Sequence, residues 1–334
     1  MARGSATPNQ LSFDGNQTVG DLKSRLEEFG AVEFEQNISD YLVDQTIEAY
    51  ADFTDNVPEA TLETYNKMIV AGNDSAWVCK RLDNPRRRFA GVNSGDFEAN
   101  KSMTNIYRPG KPAGYTNRSM QIRALRELRD MDVADDPKEF YHSDAWTTRD
   151  IQRQFAHYNW GAVPAEVNRL QQKLDVVHRL ASTAMQGFLR NLEDIHPDLP
   201  KYVTPQDLQT SPIRINFYHP GQGTVLASKH SDKGFFTDQI AESHRGLRVM
   251  NPQSGEMQLI EREEPSSGLF FPAWAFQNSF PNSPFKAAEH DVIDDDRPND
   301  KRKLYGKNVV RWSMIFFVNS HLAGYAADRS LTHK

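Results

Sequence analysis

A single cysteine, Cys79, in 334 residues excludes an intrachain disulfide. The fold must therefore rest on its core, and a reducing compartment, the cytoplasm, is the expected setting. Long apolar runs are also missing: none approaches the roughly 20 residues that a membrane helix needs. The N-terminal Met-Ala-Arg-Gly-Ser-Ala-Thr-Pro has no apolar h-region, so no secretory leader is expected. The sequons at Asn16, Asn37 and Asn117 then carry no expectation of glycosylation. Basic charge is not in excess. The formal net charge of -6 argues against nucleic acid as the main partner. No internal repeat or long low-complexity tract appears, which sets aside solenoids and linkers. What is present is ordinary for a globular chain: 38% hydrophobic and 25% charged residues, enough to bury a core in one large domain or two smaller ones.

Hydrophobic spacing divides the chain. Residues 19–29 read as a short helix with Leu22, Leu26 and Phe29 on one face, stopped by Gly30. Residues 31–35 alternate like a strand, and Ser39 can cap a second helix carrying Leu42, Ile47, Tyr50 and Phe53. Residues 74–114 read as loops with short strands, and a further helix is expected near 117–130. Pro164 opens the longest helical signal, to about Glu193, with Leu170, Leu174, Val177, Ala181, Ala184, Phe188 and Leu192 at three- and four-residue steps. After Pro205 come short β-rich runs over 213–219, 224–229, 235–240, 247–251, 256–260, 268–271 and 309–318, separated by turn residues. Many short strands at this spacing predict an all-β sandwich or barrel. The expected division is a helical N-terminal region over 1–204 with its backing helix at 164–193, a β core over 205–320 and a tail over 321–334, integrated as one domain.

Three His-x-Asp pairs occur: His142/Asp144, His196/Asp198 and His230/Asp232. About one is expected by chance, so context must choose. His196/Asp198 lies in a proline-rich stretch where the aspartate caps or turns. His142/Asp144 reads as a polar loop where Ser143 or Asp144 starts a helix. Only His230 and Asp232 sit at the end of a strand in the β-rich half, where residues i and i+2 share a face. His290, on a plausible strand 58 residues after Asp232, can supply a third ligand. Two imidazoles and one carboxylate can hold one face of a ferrous ion and leave the other open for chemistry. Downstream, Arg311 and Ser313 share a strand face and can hold a carboxylate, the arginine by charge-assisted bonds.

These segments, in this order, resemble the iron(II)- and 2-oxoglutarate-dependent oxygenases, in the branch that includes isopenicillin N synthase. Arg214-Ile-Asn-Phe-Tyr-His-Pro220 is similar to the family's Arg-x-Asn-Tyr-Tyr-Pro strand. His230-Ser-Asp-Lys-Gly-Phe-Phe-Thr237 is similar to His-x-Asp-x-Gly-x-x-Thr, and Arg245-Gly-Leu-Arg-Val249 to Gly-Gly-Leu-Gln-Val. His290 matches the distal histidine, and Arg311-Trp-Ser313 matches Arg-x-Ser before an apolar strand. The likeness is specific over 213–318 and looser before it. Residues 74–114 match nothing, and the stretch between His290 and Arg311 is longer than usual, with the polar insertion Asp294-Asp-Asp-Arg-Pro-Asn-Asp-Lys-Arg302, read as a solvated loop or else a lid or partner contact.

The resemblance implies an α+β fold: a double-stranded β-helix, the cupin-like jelly roll, with a helical N-terminal half. It implies Fe(II) on His230, Asp232 and His290; 2-oxoglutarate as co-substrate, its distal carboxylate on Arg311 and Ser313 with Tyr218 adding a hydroxyl and Asn216 nearby; and O2. Asp232 argues against halogenation, since related halogenases replace this carboxylate with a small residue. Hydroxylation, desaturation and oxidative cyclisation of a small molecule, an amino acid or an intermediate of specialised metabolism, remain open. So do a 2-oxoglutarate-independent oxidase of the isopenicillin N synthase type and a non-catalytic metal-binding protein on the same fold. Lys229, Phe235, Trp274, the run at 86–88 and Tyr107 are candidates for the substrate pocket.

Overall fold

The computed structural model describes residues 19–56, 114–117, 138–149, 161–219, 224–262, 267–295 and 309–322, with isolated positions 152, 156, 304 and 305. The segments 74–113 and 118–130, and the substrate candidates at 86–88 and 107, lie outside them. Among the described residues no helix is long and apolar enough to cross a membrane.

Helix α1 (Val19–Phe29) buries Leu22 and Leu26, one turn apart, and ends where Gly30 takes φ 71°. The Gly30 N–H donates to Leu26 O (3.0 Å), the αL cap that only a residue without Cβ adopts at little strain. Strand β1 (Val32–Phe34) follows, then α2 (Asp40–Asn56), whose Leu42 N–H donates to the Ser39 hydroxyl (3.3 Å). Strands β2 (Gly114–Asn117) and β3 (Lys138–Ser143) precede α3 (Ala165–Glu193), the long helix expected from the spacing, with Pro164 at its N-cap position. His142 and Ser143 are therefore strand residues rather than part of a polar loop. Asp144 accepts from Trp146 N–H (2.8 Å) and opens the next turn.

After the one-turn α4 (Leu199–Tyr202), Thr204 and Asp207 form a reciprocal capping box over α5 (Pro205–Thr210), which precedes the first β run expected at 213. Then come β4 (Ile213–Tyr218), β5 (Val225–His230), β6 (Phe236–Glu242), β7 (Leu247–Met250), β8 (Met257–Leu259), β9 (Gly268–Pro272), α6 (Trp274–Ser279), β10 (His290–Ile293) and β11 (Arg311–Val318).

Two antiparallel sheets result. The larger has the order β1-β9-β6-β11-β4-β3-β2 and the smaller β5-β10-β7-β8. From β4 onward the chain alternates between them, pausing only at the β7–β8 hairpin, which is the double-stranded β-helix. The N-terminal strands extend the larger sheet at both edges: β1 pairs with β9, and β3 with β4.

The alternation of β4 and β11 separates two cores. Trp312, Met314 and Phe316 point outward with Ile213, Ile215 and Phe217, and the helices cover them. Phe188 of α3 meets Phe270 (4.4 Å between centroids) and Phe34 (4.8 Å), and Tyr50 of α2 meets Phe217 (4.5 Å). Between the sheets, Tyr218, Leu226, Leu247, Val249, Leu269, Phe271 and Val292 form a smaller second core. Among the residues left on this inner face, the polar ones make the site.

Candidate active site

His230 ends β5, and its antiparallel partner across the ladder is His290, the first residue of β10. The pairing brings the two rings within 4.4 Å between centroids. Asp232 lies two residues past the end of β5, not on its pleat, so its approach comes from a turn. That turn is fixed by backbone bonds from Trp274 N–H to Asp232 O (2.8 Å) and from Phe235 N–H to Val318 O (2.7 Å). One carboxylate oxygen is 3.7 Å from His230 Nε2 and the other 3.7 Å from His290 Nε2. The three ligand atoms all lie within 4.8 Å of one another.

The histidines are oriented by the backbone. His230 Nδ1 lies 2.6 Å from Ser228 O, and His290 Nδ1 3.1 Å from Ala288 O. A proton on each Nδ1 satisfies these bonds and leaves the Nε2 lone pair facing Asp232, the tautomer an ion requires. Burial and the neighbouring His290 hold the His230 imidazole below its ordinary pKa, toward the neutral, ligating form. Burial by itself would raise the Asp232 carboxyl; His290, His230, the Thr237 hydroxyl (2.7 Å) and Arg214 outweigh it and keep the group ionised. Neutral nitrogens and one anionic oxygen suit a divalent cation of the iron type.

Arg311 is 0% exposed. Its strand neighbours are Tyr218 on β4 and, two residues on, Ser313 beside Asn216. The guanidinium lies 5.5 Å over the Tyr218 ring, and Asn216 Nδ2 donates to the Ser313 hydroxyl (3.0 Å). Four expected residues thus share one inner face. Arg311 Nη2 donates to Glu242, while Nε and Nη1 are buried with no hydrogen-bond partner among the described residues. Orphaned donors on a buried cation are costly unless a ligand meets them, so the arrangement fits an incoming carboxylate.

Sequence reasoning missed Glu242 and the second basic group of the barrel. Arg214, on the same face of β4, donates from Nε to His142 Nε2 (2.6 Å) and lies between the rings of Phe140 (5.0 Å) and Phe317 (4.4 Å). Burial pushes His142 down to about 3, so it stays neutral and accepts. Of the substrate-pocket candidates, Phe235 belongs to the outer core with Phe236, Phe276 and Tyr202. Lys229 is exposed and paired with Glu289 (3.0 Å). Trp274 is partly buried and touches the site through its backbone bond to Asp232. The front of the polar insertion is tethered to the β6–β7 turn: Asp294 approaches His244 (3.8 Å) and Asp295 pairs with Arg245 (3.0 Å). Residues 296–303 lie outside the described residues.

No protein-family model matches the chain, and no curated protein sequence matches it. Solved structures do match. A Caulobacter crescentus protein described as of the 2OG-Fe(II) oxygenase family aligns over 95% of this chain and 87% of its own, at 18% identity and TM-score 0.58. The fold is that of these oxygenases. Full-length T7H of Neurospora crassa, in complex with α-ketoglutarate, aligns over 93% of this chain and 84% of its own, at 15% identity and TM-score 0.57. The dioxygenase for auxin oxidation 1 of Arabidopsis thaliana, in a 2-oxoglutarate complex, aligns over 93% and 92%, at 13% identity and TM-score 0.51.

Proposed function

We propose that the protein is an Fe(II)- and 2-oxoglutarate-dependent oxygenase that oxidises a small molecule. The observation that carries the reading is the triad: three ligand atoms within 4.8 Å, at the paired ends of β5 and β10, with both imidazoles oriented by backbone carbonyls. His230, Asp232 and His290 would hold the iron and leave one side of it open. When bound, iron with 2-oxoglutarate and O2 supplies oxidation of a substrate C–H bond, coupled to decarboxylation of the co-substrate to succinate.

The chain's own part is positioning and exclusion of water. Arg311 Nη1 and the Ser313 hydroxyl would receive the distal carboxylate, with Tyr218 beneath and Asn216 holding Ser313 in place. Thr237 keeps a carboxylate oxygen of Asp232 fixed. The rings of Phe140 and Phe317 flank Arg214 on the inner face, and Phe271 packs against His290. The bound α-ketoglutarate and 2-oxoglutarate of the matching structures support the same co-substrate here. The net charge of -6 favours a small-molecule substrate over nucleic acid. A single cysteine and a ferrous site favour the cytoplasm.

The test is succinate release from purified protein with Fe(II), 2-oxoglutarate and a panel of small molecules, read with product mass. One added oxygen reports hydroxylation; loss of two hydrogens reports desaturation or cyclisation. His230→Ala is expected to abolish both Fe(II) binding and succinate release, and full turnover by that variant refutes the ligand assignment. Oxygen uptake that needs no 2-oxoglutarate would move the enzyme to the isopenicillin N synthase type.

A further inference from the structure

Arg311 does not stand alone in its pocket. Its Nη2 donates to Glu242, the last residue of β6. Glu242 is held twice more, by Gln239 Nε2 (2.6 Å) and by Arg262 Nε (3.6 Å). Gln239 and Glu242 are three residues apart and would point to opposite faces of a regular strand. A bulge brings them together: opposite β11 the register passes from Met314↔Ala241 to Ile315↔Gln239, skipping Ile240. Arg262 takes up the carbonyls there, donating to Gln239 O (2.6 Å), Ile240 O (3.0 Å) and Ser267 O (2.7 Å). The Arg262 side chain is 6% exposed, that of Glu242 11% and that of Arg311 1%.

The opposite side of Arg311 is closed by backbone. A Cβ built on Gly246 would lie 2.9 Å from Arg311 Nε. The guanidinium is therefore held between Gly246, the Tyr218 ring and Glu242, with Nη1 left for a ligand.

We propose that Glu242 is a positioning residue for the co-substrate: clamped by the β6 bulge and Arg262, it orients Arg311 toward the distal carboxylate of 2-oxoglutarate. This rests on the reading of the site as an iron and 2-oxoglutarate centre.

The measurement is a ratio. Calorimetric titration of Mn(II)-loaded protein with 2-oxoglutarate, and with 2-oxopentanoate, gives two Kd values. The second ligand keeps the chelating end and carries a methyl group in place of the distal carboxylate, so the ratio of the two reports the anion pocket alone. A charge-assisted bond makes the wild-type ratio roughly tenfold or more. Glu242→Met keeps the volume and removes the acceptor, and the ratio is expected to fall by about tenfold. Glu242→Gln keeps an oxygen for Nη2 and is expected to hold the ratio at or above the wild-type value. A purely structural role would weaken both ligands together and leave the ratio unchanged. An unchanged ratio in Glu242→Met, or an equal fall in Glu242→Gln, overturns the proposal. If Glu242→Met does not fold, Gln239→Met, which removes one of the two groups holding Glu242, must lower the ratio by about threefold; no change there overturns it equally. A wild-type ratio near one removes the co-substrate assignment itself, and this inference with it.

Discussion

Asp238 ties the stability of the fold to pH. It lies on the outward face of β6, 0% exposed, with both carboxylate oxygens 2.5 Å from Gln36 Nε2. Burial pushes its pKa from 3.8 up to about 8, with Arg262 and Gln36 only partly opposing. The folded protein therefore keeps this proton up to about pH 8, while the unfolded chain releases it near pH 4. Between those values the unfolded state binds fewer protons, so stability falls as pH rises. The contribution is fully present below about pH 4 and is lost by pH 8. Each pH unit in the window costs about 1.4 kcal/mol, or about 4 kcal/mol by pH 7 and at most about 6 in all.

Asp238→Asn removes the titration and keeps one of the two bonds from Gln36. The amide oxygen still accepts from Gln36 Nε2. The new N–H can donate to Gln36 Oε1, which has no hydrogen-bond partner among the described residues. Urea melts of both proteins from pH 5 to pH 8 should show the variant gaining on the wild type by about 1.4 kcal/mol per pH unit, since every other titration cancels in the difference. A difference that stays constant across this range, or moves against the variant as pH rises, refutes the reasoning.

Three further outcomes follow from the packing. Thr237→Val, nearly isosteric, removes the hydroxyl that fixes Asp232 and should weaken Mn(II) binding by about 10- to 100-fold while melting within about 1.5 kcal/mol of wild type; unaltered metal affinity would count against the bond. In Gly246→Ala the new Cβ would lie 2.4 Å from Ile293 O as well as against Arg311, so 2-oxoglutarate affinity should drop by roughly tenfold or more and stability by about 1–3 kcal/mol; isothermal titration beside a melt separates the two. Phe188→Ala, cut from between Phe34 and Phe270, should cost about 3–5 kcal/mol in denaturant melts, and a loss below 1 kcal/mol would show that α3 does not anchor the sheet.

How much was legible depended on range. The two-residue pleat of Arg214-Ile-Asn-Phe-Tyr218 and of Arg311-Trp-Ser313 separates inward polar from outward apolar residues within one short segment. The three- and four-residue steps of α3 are equally local. What could not be read depends on pairing. The β6 bulge is defined only against β11, so nothing in Gln239-Ile-Ala-Glu242 announced that its two ends share a face. The partnership of Glu242 with Arg311 was hidden for the same reason. β3 was taken for a loop because its polar His142 and Ser143 look solvated until β4 supplies Arg214 as a neighbour. Phe235 is close to the site in sequence, yet it stands one residue before β6 and packs with Phe236 and Phe276 in the outer core. Asp232 approaches the imidazoles through a turn, although an unbroken strand was the expected route.

The alternation of the chain between the two sheets also bears on the order of assembly. His230 and His290 are adjacent only because β5 and β10 pair, and β6, β7, β8 and β9 are made between them. Closing so long a loop costs chain entropy that no local contact repays, so this ladder belongs to the slow, non-local part of folding. A chain that has formed α3 and the β7–β8 hairpin still has no three-ligand site. Metal capture at this triad would then follow barrel closure, and a bound ion would stabilise an already folded state.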